Sequence, residues 1–133
     1  YGARPILNID EPMTLGAVMI LGVAGCDGSI TRETKGEILE MFQSEFGLGL
    51  DSANELYISA SHLLKGEDNL AEQIPNITKR SKESVTEEQF VSIVSLMNAA
   101  GKLEGGFVAD QIAMIEAFSG QYDFKRVTNR KWG

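Results

Sequence analysis

A chain of 133 residues, 43% hydrophobic and 23% charged, has the size and composition of one soluble globular domain and too much apolar content for disorder. Only three prolines and no dense run of Val, Thr and aromatic residues argue against a β-sandwich. One cysteine excludes a disulfide framework and a Cys-rich zinc site, and one histidine excludes a His-cluster metal site.

The net charge of −7 is unevenly spread: residues 1–74 hold 12 acidic and 4 basic side chains, residues 75–133 hold 7 acidic and 8 basic. An acidic first half opposes nonspecific nucleic-acid binding, which needs phosphate neutralisation, and suits a cation or a basic partner. Its plain alternative is a solvated surface that keeps the chain soluble. The longest apolar stretch, Met13 to Cys26, is interrupted by Gly16, Gly22 and Gly25. It falls short of the roughly 20 residues of a spanning helix, so direct membrane insertion is not expected. No basic region precedes it, so a secretory leader is not expected either, and the expected compartment is the cytoplasm.

The periodicity is helical almost throughout. Pro12 in a first turn after Asp10 and Glu11 predicts a helix start. Met13, Ala17, Met19, Ile20, Val23 and Ala24 leave that helix little polar face, so it should be buried on most sides. Thr31 reads as the next N-cap, Ile38, Leu39, Met41, Phe42 and Phe46 as its helix's apolar stripe, and Gly47 as the stop. Asp51 or Ser52 caps a third helix carrying Ala53, Leu56, Tyr57, Ala60, Leu63 and Leu64, closed by Gly66. Leu70, Ile74 and Ile77 suggest a fourth, which Pro75 should kink or split. Lys79, Arg80 and Lys82 form a basic turn. Thr86 and Gln89 make a capping box for a helix that carries Phe90, Val91, Val94, Leu96 and Met97. A last helix follows Gly105-Gly106 with Val108, Ile112, Ile115 and Phe118. The fold expected is therefore all-α, a compact bundle of six or seven helices in one domain over 1–133. Residues 121–133 form a basic tail, in which Phe124 and Trp132 stand among Lys125, Arg126, Arg130 and Lys131. That tail could dock on an acidic face of this chain or a neighbour, or be a mobile terminus.

A degenerate repeat relates the two halves at an offset of 73 residues. Ala24 to Ile30 sets against Met97 to Leu103, with Gly28 on Gly101, Glu37 on Asp110 and Met41 on Met114. Asp27 is lost, becoming Ala100. The first copy holds the more interesting loop, Asp27-Gly28-Ser29-Ile30. Glycine permits a positive-φ turn, and the Asp oxygens can then accept backbone N–H groups or hold a cation. It is not a standard EF-hand: with Gly28 at the sixth position, Val23, Gly25 and Thr34 occupy ligand positions. Glu33, Glu37 and Glu40 share one helix face just beyond it. They are either a solvated face or, with Asp27, an all-oxygen site for a hard divalent cation, calcium or magnesium rather than zinc.

The run Val23-Ala24-Gly25-Cys26-Asp27-Gly28-Ser29-Ile30-Thr31-Arg32-Glu33 resembles the helix–loop–helix signature of the TerB-like tellurite-resistance proteins. That signature is small residues, Asp-Gly, a hydrophobe, Ser or Thr, then acids on the next helix, and the resemblance extends over roughly residues 12–120. It implies a cytoplasmic, all-helical bacterial domain with a duplicated helical unit, no enzymatic activity and an acidic cation-binding surface. It also implies a place in stress-response assemblies with membrane-protein partners. Asp27, Glu33 and Glu37 match the family's acidic motif. The second copy keeps only Asp110, so a symmetric two-site cation binder is not expected.

Other chemistry is thin. His62, beside Leu63 and Leu64, reads as a core-edge histidine. Cys26 next to Asp27 reads as packing, since a neighbouring carboxylate raises a thiol pKa. No phosphate-cradling loop is present, and no catalytic or cofactor-binding residue is assigned. Three functions stay open: a TerB-like scaffold that binds protein partners and a divalent cation, a plain helical interaction domain without metal, and a small carboxylate-based enzyme.

Overall fold

The computed structural model describes residues 5–25, 30–67, 69–103 and 109–122. Its centre is α1 (Pro12–Ala24), in which every residue from Leu15 to Ala24 is buried. A helix apolar on all sides must be enclosed by others, and this one is. α5 (Glu87–Leu103) and α3 (Leu50–Leu64) pack most extensively on it, with α6 (Ala109–Ser119) and α2 (Arg32–Phe46) completing the enclosure. α4 (Leu70–Ile77) packs against α6, and a 3-10 helix, Pro5–Asn8, closes one side by burying Ile6. No strand occurs among the described residues, so the chain is an all-α bundle.

Local signals explain most of the boundaries. Pro12 opens α1, where its missing N–H would have lacked an intrahelical partner anyway. At α2, the Thr34 N–H donates to Thr31 Oγ1 at 3.1 Å, and Gly47 ends the helix in the left-handed region at φ 70°. The capping box at α5 is complete: Gln89 N–H donates to Thr86 Oγ1 at 3.1 Å and Thr86 N–H to Gln89 Oε1 at 2.9 Å. The basic turn leaves Lys79, Arg80 and Lys82 exposed, and Arg80 donates to Asn8 Oδ1 at 3.1 Å, tying the turn to the 3-10 helix.

The structure corrects several expectations. α3 starts at Leu50, with Gly49 as N-cap and no side-chain cap, rather than at Asp51 or Ser52. α4 runs unbroken through Pro75 as a single eight-residue helix. Proline sacrifices one backbone bond there, and the helix ends two residues later, before a second turn would suffer. On α5, Val91 points to solvent at 56% exposure while Ile93, Leu96 and Met97 face the core. On α6 the buried positions are Gln111, Met114 and Phe118, and Ile112 is exposed. The two proposed copies fall on the successive helix pairs α1/α2 and α5/α6. Their second helices end at Phe46 and Ser119, in step with the offset. Leu103 is helical, whereas its counterpart Ile30 is not. Gly105, Gly106 and Val108 lie outside the described residues.

Candidate functional site

The acidic stripe is built by α2. Thr34, Ile38 and Phe42 are its buried positions, and Phe42 stacks on Phe46 with ring centroids 5.6 Å apart. Burying that side turns Glu33, Glu37 and Glu40 to solvent, and all three are exposed. Glu33 stands in the first turn, where the amide dipoles favour a carboxylate. Beside the stripe, the Lys35 ammonium lies 5.0 Å from the centre of the Tyr57 ring, pinning α2 to α3. Burial pushes the Tyr57 phenol above its ordinary pKa.

Asp27, Gly28 and Cys26 lie outside the described residues, as does the tail from residue 123. The structure thus brings Glu33 and Glu37 together on one face and does not describe the third expected ligand. Among the described residues no group of three or more His, Cys, Asp or Glu side chains is arranged to hold a metal ion. His62 is exposed on α3 rather than at the edge of the core. It borders a shallow groove with Ile58, Leu21 and Ile30.

Two further concavities are better formed. One, of about 550 Å³, lies between α1, α4 and α6, with Leu21, Leu70 and Met114 inside and Glu72 and Asp110 at the rim. The other, of about 320 Å³, lies where the start of α1, the end of α2 and the start of α5 meet. Pro12, Met13, Phe46 and Ile93 supply its apolar part, with Glu45 and Glu88 at its edge. Ser92 Oγ donates to Glu45 Oε2 at 2.8 Å and joins α2 to α5 there.

Two polar groups in the interior were not anticipated. Gln111, 2% exposed, donates from Nε2 to the Val23 carbonyl at 3.0 Å and so serves the open end of α1. Its signal was its place at helical spacing with Met114 and Phe118, which puts it on the buried side. Tyr122 packs on Phe90 and Phe118, with centroids at 5.0 and 5.3 Å. Burial raises its phenol pKa, and the Ser81 hydroxyl offsets part of that rise. These are structural arrangements: both groups are enclosed by packing and neither faces a concavity holding other reactive side chains.

Comparison with known proteins returns no match, whether to family models, curated proteins or solved structures. Among the described residues, no helix is long and apolar enough to cross a membrane.

Proposed function

We propose that this chain is a non-enzymatic helical interaction domain of the TerB-like kind. It would work in the cytoplasm as a scaffold for protein partners, a membrane protein of a stress or tellurite-resistance system among them. A hard divalent cation would sit on Asp27, Glu33 and Glu37. The observation that carries this reading is the stripe of exposed carboxylates at the start of α2, which follows the Asp27 loop directly in sequence. Oxygen ligands alone favour calcium or magnesium.

The test is thermal melting with and without millimolar calcium or magnesium, on the wild type and on Asp27→Asn. An ion that binds only the native state stabilises it by RT ln(1 + [L]/Kd), about 2.7 kcal/mol at a hundredfold excess over Kd. A rise in Tm that the substitution abolishes supports the site. No rise, or an equal rise in both proteins, removes the metal from the proposal and leaves the plain interaction domain. That second reading has its own support in Leu50 and Ile58, large apolar side chains on α3 that are 60% and 58% exposed.

A further inference from the structure

Ala53 and Ala60 are the buried positions of α3, so the opposite side of the helix is turned to solvent. Ile58, 58% exposed, stands near the middle of that side, and Leu50, 60% exposed, stands at its start. Among the described residues α3 is the one helix that exposes two large apolar side chains.

The charges on this outer face are sorted along the helix. Asp51 and Glu55 precede Ile58, His62 and Lys65 follow it, and all of them are exposed. Asp51 and Lys65 are each seven residues from Ile58. At 3.6 residues per turn both fall within about 20° of it around the helix and about 10 Å from it along the axis.

A face that is apolar at its centre, acidic at one end and basic at the other is complementary to its own copy run in the opposite direction. With a two-fold axis at Ile58, Asp51 of one copy stands level with Lys65 of the other, and Glu55 stands within one residue of the level of His62. Ile58 meets Ile58, and the two helix dipoles oppose. Leu50 comes level with the end of the second copy's α3, on the side where Leu21, Ile30 and Leu64 line a shallow groove. A parallel pairing would set acid on acid, and a uniformly basic partner would meet Lys65 with a like charge.

We propose that this chain forms a two-fold symmetric dimer through the outer face of α3, with the two helices antiparallel, Ile58 at the axis and Asp51 of each copy paired to Lys65 of the other. The dimer rests on the plain interaction-domain reading, whose occupant it names, and is independent of the cation site. One helix face about 22 Å long and 10 Å wide offers much less than the roughly 800 Å² that a standard interface takes from each partner. The association is therefore weak and is read at high protein concentration.

Sedimentation equilibrium of the full 133-residue chain at low salt, from micromolar to several hundred micromolar, should show the average mass rising from monomer towards dimer and no further. Ile58→Asp brings two carboxylates together at the axis and should leave a monomer. Asp51→Lys and Lys65→Glu each set two like-charged pairs across the interface and should raise the dissociation constant about tenfold or more. Mixed in equal amounts, these two variants should associate as tightly as wild type, because both cross-pairs are again of opposite sign. The mixture also separates pairing from misfolding, since an unfolded variant is not rescued by a second one. The three substituted side chains are exposed, so the far-ultraviolet circular dichroism of each variant should match wild type. A monomer over the whole concentration range overturns the proposal and leaves the interaction-domain reading standing with another protein on this face. A dimer that survives Ile58→Asp overturns it as well, and so do charge variants whose mixture associates no better than either alone.

Discussion

Replacing Gln111 by glutamate exchanges an amide for a carboxyl of the same shape inside the bundle, so the perturbation is electrical and almost free of packing changes. Gln111 is 2% exposed and donates to the Val23 carbonyl at 3.0 Å. A carboxylate there would place two acceptors face to face in a buried site. Its pKa must rise, because only the protonated acid can donate to Val23. A buried carboxyl raised from about 4.3 to beyond 7 loses about 3–4 kcal/mol at pH 7, at 1.36 kcal/mol per pKa unit. The sign follows from linkage: below the unfolded-state value both states are protonated and the penalty is absent, and it grows as pH rises towards the folded-state value. Urea unfolding of wild type and Gln111→Glu at pH 4 and pH 7 therefore gives a small difference at the lower pH and a large one at the higher. Referring each variant to wild type at the same pH cancels the titration of the shared carboxylates. Gln111→Leu is the control: it removes the donor at both pH values, costs about 1–3 kcal/mol and adds no pH dependence. An equal loss for Gln111→Glu at both pH values would refute the buried contact between α6 and the end of α1.

Three further outcomes are expected. Gly36 and Gly47 both have open space where a Cβ would go, but Gly47 sits at φ 70° and Gly36 is helical. Gly36→Ala should therefore stabilise the chain by up to about 1 kcal/mol and Gly47→Ala destabilise it by about 1–2 kcal/mol, measured as opposite shifts in urea midpoint. Thr86→Ala breaks the reciprocal cap of α5 and should cost about 1 kcal/mol, with faster hydrogen exchange confined to the first turn of that helix. The Tyr122 phenol, raised above 10.0 by burial, contributes stability that is present below that pH and lost as the pH climbs through the folded-state value. Tyr122→Phe should flatten the alkaline loss relative to wild type, and an unchanged slope would place the titrating group elsewhere.

Which parts of this structure can be read from the sequence depends on how local their causes are. Pro12, Thr31, Gly47 and the Thr86–Gln89 pair act within a turn, and the helices begin or end where these residues direct. Gly49 as the cap of α3 carries no side-chain signal, so a downstream Asp and Ser drew the boundary too late. The exposure of Val91 and Ile112 has a different origin. Apolar residues on every side of a helix leave its orientation to its neighbours, and α5 and α6 turned Ile93 and Gln111 inward instead. Spacing with Met114 and Phe118 puts Gln111 on the buried side of α6, but its partner, the Val23 carbonyl 88 residues away, has no local signal. For the candidate site, the shared face of Glu33, Glu37 and Glu40 followed from helical spacing alone. Their exposure followed from Ile38 and Phe42 being needed inside.

The enclosure of α1 has a consequence for synthesis. Its 13 residues leave the ribosome before the helices that cover it most fully, α3 and α5. At about 5–20 residues per second, several seconds separate the appearance of Leu15 from that of Ile93 and Met97. During that interval the nascent chain displays a helix-length apolar segment with no hydrophilic side to turn outward, and α2 alone is too narrow to hide it. Nascent-chain profiling should therefore find chaperone occupancy concentrated on this segment and released once α5 has cleared the exit tunnel. A circular permutant that begins at α5 would carry the same final contacts with its covering helices made first, and should need that protection less.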